Sequence, residues 1–87
     1  MRLDKFLKIS RLIKRRTVAK EIANQGRIEL NGQPAKASSD LKVGDELMIR
    51  FGHTRLTIKV DSLREQVRKD EANGLYTVIN EEKVHQD

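Results

Sequence analysis

The apolar residues change period at Gly26, and that change limits the fold more than anything else in the sequence. Before it, Leu3, Phe6 and Leu7 follow the i, i+3, i+4 spacing of a helix face. Val18 and Ile22 lie four apart, as do Ala19 and Ala23. After it, apolar residues alternate with polar ones: Ile28 and Leu30, then Leu47, Ile49 and Phe51, then Leu56, Ile58 and Val60. Such rows predict a small antiparallel sheet with one apolar side. The two helices must cover that side, because nothing else is available. With 87 residues, the chain has room for one structured domain. At this size only about 60–65 % of the unfolded surface is buried, so the core is thin.

Local signals place the element ends. Asp4 sits where an N-cap or first-turn acid helps a helix. Ser10 breaks the run, and Leu12 and Ile13 fall in a turn. Thr17 is a candidate cap for the second helix, which alternatively begins as early as Lys14. Gly26 suits the position just past its end. Asn31-Gly32 marks a tight reversal. Pro34 prevents the next segment from being a regular central strand. Ala37 to Asp40 reads as loop, and Val43-Gly44-Asp45 as a turn feeding a strand over Glu46 to Phe51. Gly52-His53 closes a hairpin onto a return strand, Thr54 to Asp61. Beyond Ser62 the pattern weakens. Leu63, Val67, Leu75, Tyr76 and Ile79 are expected to dock a short helix or turn, interrupted at Asn73-Gly74. Glu81 to Asp87 is expected to fray. The expected organisation is a domain over 1–62 and a partly ordered extension over 63–87.

Charge is segregated. Residues 1–20 carry eight Lys/Arg and one acid, a balance of +7, while residues 21–87 carry ten Lys/Arg and twelve acids, a balance of −2. Lys14-Arg15-Arg16 is a consecutive cationic triplet with no acid within three residues. Such a cluster repels itself in water, and a polyanion removes that cost. Arg16 and Lys20 fall on the side of the second helix opposite Val18 and Ile22, where they can reach neighbouring phosphates. Arg2 starts the first helix. An interfacial membrane helix would need a broad apolar face beside the basic one. Here Phe6 is the lobe's one aromatic residue, and Leu3, Phe6 and Leu7 are needed for the core.

The partner is therefore read as nucleic acid. The chain's three aromatics are Phe6, Phe51 and Tyr76, two of them at core positions, so there is no platform for stacking unpaired bases. The expectation is a binder of folded, phosphate-rich RNA with little sequence preference. The candidate contacts are Arg2, Lys5, Arg11, Lys14, Arg15, Arg16 and Lys20.

Other chemistry finds little support. The sequence has no cysteine, so disulfides and thiolate metal sites are excluded, which suits a reducing, cytoplasmic setting. His53 and His85 lack companions at metal-ligand spacing. Ser38-Ser39-Asp40 has no histidine close in sequence to serve as base. Glu81-Glu82 has no second acidic pair opposite it. Gly26, Gly32, Gly44 and Gly52 lie in separate turns and form no phosphate loop. No catalytic residue, metal or cofactor is expected. No stretch approaches the roughly 20 apolar residues of a membrane span, and no apolar run follows Arg2 and Lys5 as in a signal peptide. The initial Met and polar end suggest a free-standing chain.

The order of motifs resembles the S-four-type RNA-binding domain. The likeness is carried by "RLDKFL" at Arg2–Leu7, "RRTVAKEIANQGRIELNG" at Arg15–Gly32 and "KASSDLKVGDEL" at Lys36–Leu47. The resemblance implies an α+β fold, the alpha-L motif, with an αα-hairpin packed on a small antiparallel β-sheet and both helices facing RNA. At this length the chain is similar to the heat-shock protein fifteen group, and within it to the ribosome quality-control branch. That likeness implies a monomer bound to large-subunit rRNA and P-site peptidyl-tRNA, assisting the partner RqcH in C-terminal alanine tailing. It also implies Arg2 and Arg16 as leading contacts, Lys20 and Lys14 as supporting ones, and Asp4 as orienting the first helix. The group usually ends in a longer basic helix, whereas residues 61–87 here carry four basic and seven acidic residues. No RNA contact is expected from them. Two alternatives stay open: a heat-shock or recycling factor on the same particle without tailing, and an RNA-binding appendage of an RNA-modifying enzyme or tRNA synthetase.

Overall fold

A computed structural model describes residues 1–83. His85 and the rest of the expected frayed end beyond Lys83 lie outside the described residues. Two helices, α1 (Leu3–Ile9) and α2 (Arg16–Asn24), precede four strands: β1 (Ile28–Leu30), β2 (Gln33–Pro34), β3 (Glu46–Phe51) and β4 (Thr54–Val60). A 3₁₀ helix (Lys69–Leu75) leads into β5 (Tyr76–Lys83). The strands form one antiparallel sheet in the order β2-β1-β3-β4-β5.

The alternating rows meet in register. Leu47 lies opposite Ile58, Ile49 opposite Leu56, and Ile28 pairs with Ile49 across the next seam. On α1, Leu3, Phe6 and Leu7 have no exposed surface, and they join Ile28, Leu47, Ile49, Ile58 and Val60 in one cluster. Burying each such side chain contributes about 1.5–3 kcal/mol. On α2 the deepest residues are Ala19 and Ala23, while Val18 and Ile22 are only partly buried against the core. Phe51 and Leu56, nearer the hairpin tip, are also half-buried.

Turn chemistry explains the reversals. Asn31 and Gly32 have φ of 51° and 83°, the left-handed pair that a two-residue hairpin demands. The Asn31 side chain then clips the turn to β3: Oδ1 accepts from the Glu46 amide at 2.9 Å and Nδ2 donates to Asp45 Oδ1 at 3.1 Å. Pro34 lies in a two-residue edge strand, where its missing N–H costs nothing. α2 ends in a Schellman motif, with the Arg27 amide donating to the Ile22 carbonyl at 3.1 Å and the Gly26 amide to the Ala23 carbonyl at 3.0 Å. Gly26 supplies the φ of 73° that this ending needs.

Four expectations are corrected. Arg15, not Thr17, is the N-cap of α2, with extended backbone and no side-chain cap, and the helix begins at Arg16 rather than Lys14. Glu81 to Lys83 are not frayed but complete β5, where Glu82 faces Arg55 across the strands and Asn80 donates to Glu82 at 2.7 Å. Opposite charge across the pair and hydrogen bonding to β4 outweigh the polar composition. Ile79 does not dock on the core. The β4–β5 register slips between Thr57 and Ile58, and Ile79 stays half exposed. The 3₁₀ helix runs on through Gly74 to the buried Leu75.

Candidate nucleic-acid interface

The face of α1 turned from the core carries Lys5 and Lys8; the turn to α2 carries Arg11, Lys14 and Arg15; α2 adds Arg16 and Lys20. The helices are held in place by a clamp that local sequence does not announce. Met1 to Asp4 run beside the loop at 37–41. The Leu3 amide donates to the Ser39 carbonyl at 2.9 Å, the Asp4 amide to Ala37 at 3.1 Å, and the Leu41 amide to Met1 at 2.8 Å. The Ser39 and Ala37 carbonyls satisfy the first two amides of α1, whose N-cap residue makes no side-chain cap. The terminal ammonium adds a 2.8 Å ion pair to Asp40, which holds that carboxyl below its ordinary range. Ser39 Oγ accepts from the Lys36 amide at 2.9 Å, so the Ser38-Ser39-Asp40 segment is occupied with structural bonds.

Asp4 is the centre of the lobe. It has no exposed surface, and its two oxygens are shared between two arginines. Oδ2 accepts from Arg16 Nε at 3.1 Å, while Oδ1 accepts from Arg2 Nε at 3.2 Å and from the Lys5 amide at 2.9 Å. Arg16 Nη2 adds a long bond to Oδ1 at 3.4 Å. Burial alone would raise the Asp4 pKa; hydrogen bonds from Arg16 and Arg2, with their charges, reverse that and hold it below the ordinary value of 3.8. The carboxylate is thus ionised and fixes both guanidiniums. The Arg16 and Arg2 side chains remain 42 and 50 % exposed, with donors left to offer a phosphate.

Two grooves flank this pair. One, about 510 Å³, is lined by Lys8, Arg11, Lys14 and Arg16, with Lys5 and the segment 65–67 as further walls. The other, about 600 Å³, is lined by Arg2, Lys20 and Lys36 with Ser38 and Asn24. Along α2, Arg16 lines the first groove and Lys20, four residues on, lines the second with Arg2. Among the described residues, Lys8, Arg11, Lys14, Arg15 and Lys20 pair with no acid. Sequence reasoning missed Lys36 and residues 65–67, which the fold brings in from loops without a local signal.

Arg11 has a further peculiarity. It occupies the position after the α1 cap with φ 62°, the left-handed conformation that Gly26 adopts after α2. Its amide donates to the Lys8 carbonyl at 3.1 Å. A cationic side chain is kept where glycine is the usual residue.

His53 lies exposed in the β3–β4 hairpin. Among the described residues, no group of three His, Cys, Asp or Glu is placed to hold a metal, and no helix is long and apolar enough to cross a membrane.

Residues 1–47 match the S4 domain model, which spans both helices and the strands up to the start of β3. The chain is 61 % identical to the RQC P-site tRNA stabilizing factor of Bacillus subtilis (strain 168), over 97 % of this chain and 98 % of that protein. It belongs to this S4-domain family. A second family member, from Streptococcus pneumoniae, is 54 % identical over 99 % of this chain and 98 % of its own length. The family fold extends to the trimeric structure of Vibrio cholerae heat shock protein 15, with TM-score 0.83 and 35 % identity, covering 90 % of this chain and 80 % of that one. The S4 match ends at Leu47, whereas the relatives named for P-site tRNA match almost throughout. The β4–β5 half is therefore shared within the family beyond the S4 core.

Proposed function

We infer that this chain is a non-enzymatic RNA-binding adaptor of ribosome-associated quality control. It binds large-subunit rRNA and P-site peptidyl-tRNA in the cytoplasm, as a monomer, and supports RqcH-dependent alanine tailing of stalled chains. The observation that carries the reading is the Arg2–Asp4–Arg16 arrangement. A buried carboxylate holds two half-exposed guanidiniums, and in the two grooves beside them stand cations that pair with no acid among the described residues. The full-length likeness to P-site tRNA stabilizing factors supports the choice of particle.

Mechanistically, the adaptor acts by electrostatic docking and shape fit. Guanidiniums fixed before binding lose less conformational freedom on meeting phosphate than free ones would. Holding tRNA against the large subunit favours one geometry through repeated rounds of tailing. A heat-shock or recycling role is favoured by the likeness to heat shock protein 15. One experiment separates the two: delete the gene, restore it as wild type or Arg16→Ala, and assay nascent chains for alanine tails. Tails that require the wild-type chain support the adaptor role. Undiminished tails in the deletion strain, with the restored wild-type chain bound to large subunits, favour recycling.

A further inference from the structure

The 510 Å³ groove has one wall unlike the rest. Lys8, Arg11, Lys14 and Arg16 offer only donors, which suit backbone phosphates and carry no sequence information. The opposite wall comes from the connection between β4 and the 3₁₀ helix. It presents Glu65 and Gln66, the groove's two lining side chains that can accept a hydrogen bond. Ile9 and Val67, each partly buried, line the same groove with apolar surface. A carboxylate on a polyanion-binding face costs affinity unless something on the RNA donates to it. Glu65 is free to take such a donor. Its contact with Lys5 Nζ is 3.6 Å long, between side chains 76 and 37 % exposed, so it is weak and readily exchanged.

We propose that Glu65 and Gln66 form a base-reading subsite for one unpaired guanine, added to the phosphate contacts of the same groove. Base chemistry selects the ligand. An ionised carboxylate accepts through two oxygens, and guanine is the base whose Watson–Crick edge presents two adjacent donors, N1–H and N2–H. On adenine and cytosine the exocyclic amino group sits beside a ring-nitrogen acceptor. On uracil the single N3–H lies between two carbonyls. The Gln66 amide can donate to guanine O6, and Ile9 and Val67 offer apolar contact to the base face. Bases splayed from loops and bulges are read on such edges. The subsite rests on the phosphate-binding reading, since the backbone cations bring the nucleotide in.

The test uses the full chain and RNA hairpins of one stem, with a uridine loop containing a single guanosine or a single inosine, which lacks only the N2 amino group. Binding is followed by fluorescence anisotropy over a range of salt. Wild type binds the guanosine hairpin about threefold or more tighter than the inosine one, as expected for one exposed base-edge contact. Glu65→Ala brings the ratio to about one while keeping the wild-type dependence on salt. Equal binding of both hairpins by wild type overturns the subsite, as does a Glu65→Ala variant that tightens both by the same factor. A salt-independent wild type would instead refute the phosphate reading itself.

Discussion

Asp4 and Arg16 stand twelve residues apart in sequence, yet Arg16 Nε donates to Asp4 Oδ2 at 3.1 Å, joining α1 to the first turn of α2. The acid is buried and the base half exposed, so the pair aims a cation outward from a fixed root. Removing the acid should therefore weaken RNA binding although it makes the chain more basic. Asp4→Asn moves the net charge from +5 to +6. The expected outcome is lower affinity for large subunits, with stability reduced by about 1–2 kcal/mol, less than for a pair buried on both sides. Cosedimentation and urea unfolding check both. Equal or tighter binding by Asp4→Asn would show that charge alone governs the interface.

The same pair predicts a pH dependence. The folded Asp4 pKa lies below its ordinary value of 3.8, so its stabilisation is fully present above that value and is lost as pH falls through the folded pKa. The stability gap between wild type and Asp4→Asn should be constant near neutrality and close below about pH 4. Urea midpoints at neutral pH and at successive acid values measure it. A gap that persists at low pH would mean that Asp4 acts through packing rather than charge.

Arg11 should trade stability for binding. A left-handed residue other than glycine costs about 1–2 kcal/mol, while glycine gives back up to about 1 kcal/mol in unfolded-state entropy. Arg11→Gly is expected to raise the melting temperature by a few degrees and to weaken RNA binding. Arg11→Ala keeps the backbone strain and loses the charge, so it should weaken binding without the thermal gain. Calorimetry and particle binding on the two variants decide it; a less stable Arg11→Gly would show that the arginine side chain supports the turn.

Much of the fold was legible because its signals are local. Asn31-Gly32 and Gly26 meet backbone demands that few other residues satisfy, and the alternation of Leu47, Ile49, Ile58 and Val60 already defines the buried face. The basic lobe was legible as composition. Its organisation was not, because Asp4 meets Arg16 only after two helices have packed, and neither periodicity nor spacing encodes that meeting. Thr17 was a reasonable cap by residue type, but α2 starts at Arg16, so Thr17 falls inside the helix. β5 was hidden for a different reason. Its acids look unsuited to a strand until Arg55 is placed opposite Glu82. Glu65 to Val67 and Lys36 reach the two basic grooves from loops, where tertiary structure alone decides what faces what.

The central claim is that backbone phosphates of folded RNA dock on cations held by Asp4. It is tested most directly by the salt dependence of binding to purified large ribosomal subunits. For roughly four to six neutralised phosphates, log affinity should fall with log salt at a slope of about −3 to −5 in the wild type. Arg16→Ala, folded by circular dichroism, should bind more weakly with a slope shallower by about one. A wild-type affinity indifferent to salt, or an Arg16→Ala variant with unchanged affinity and slope, would contradict the account.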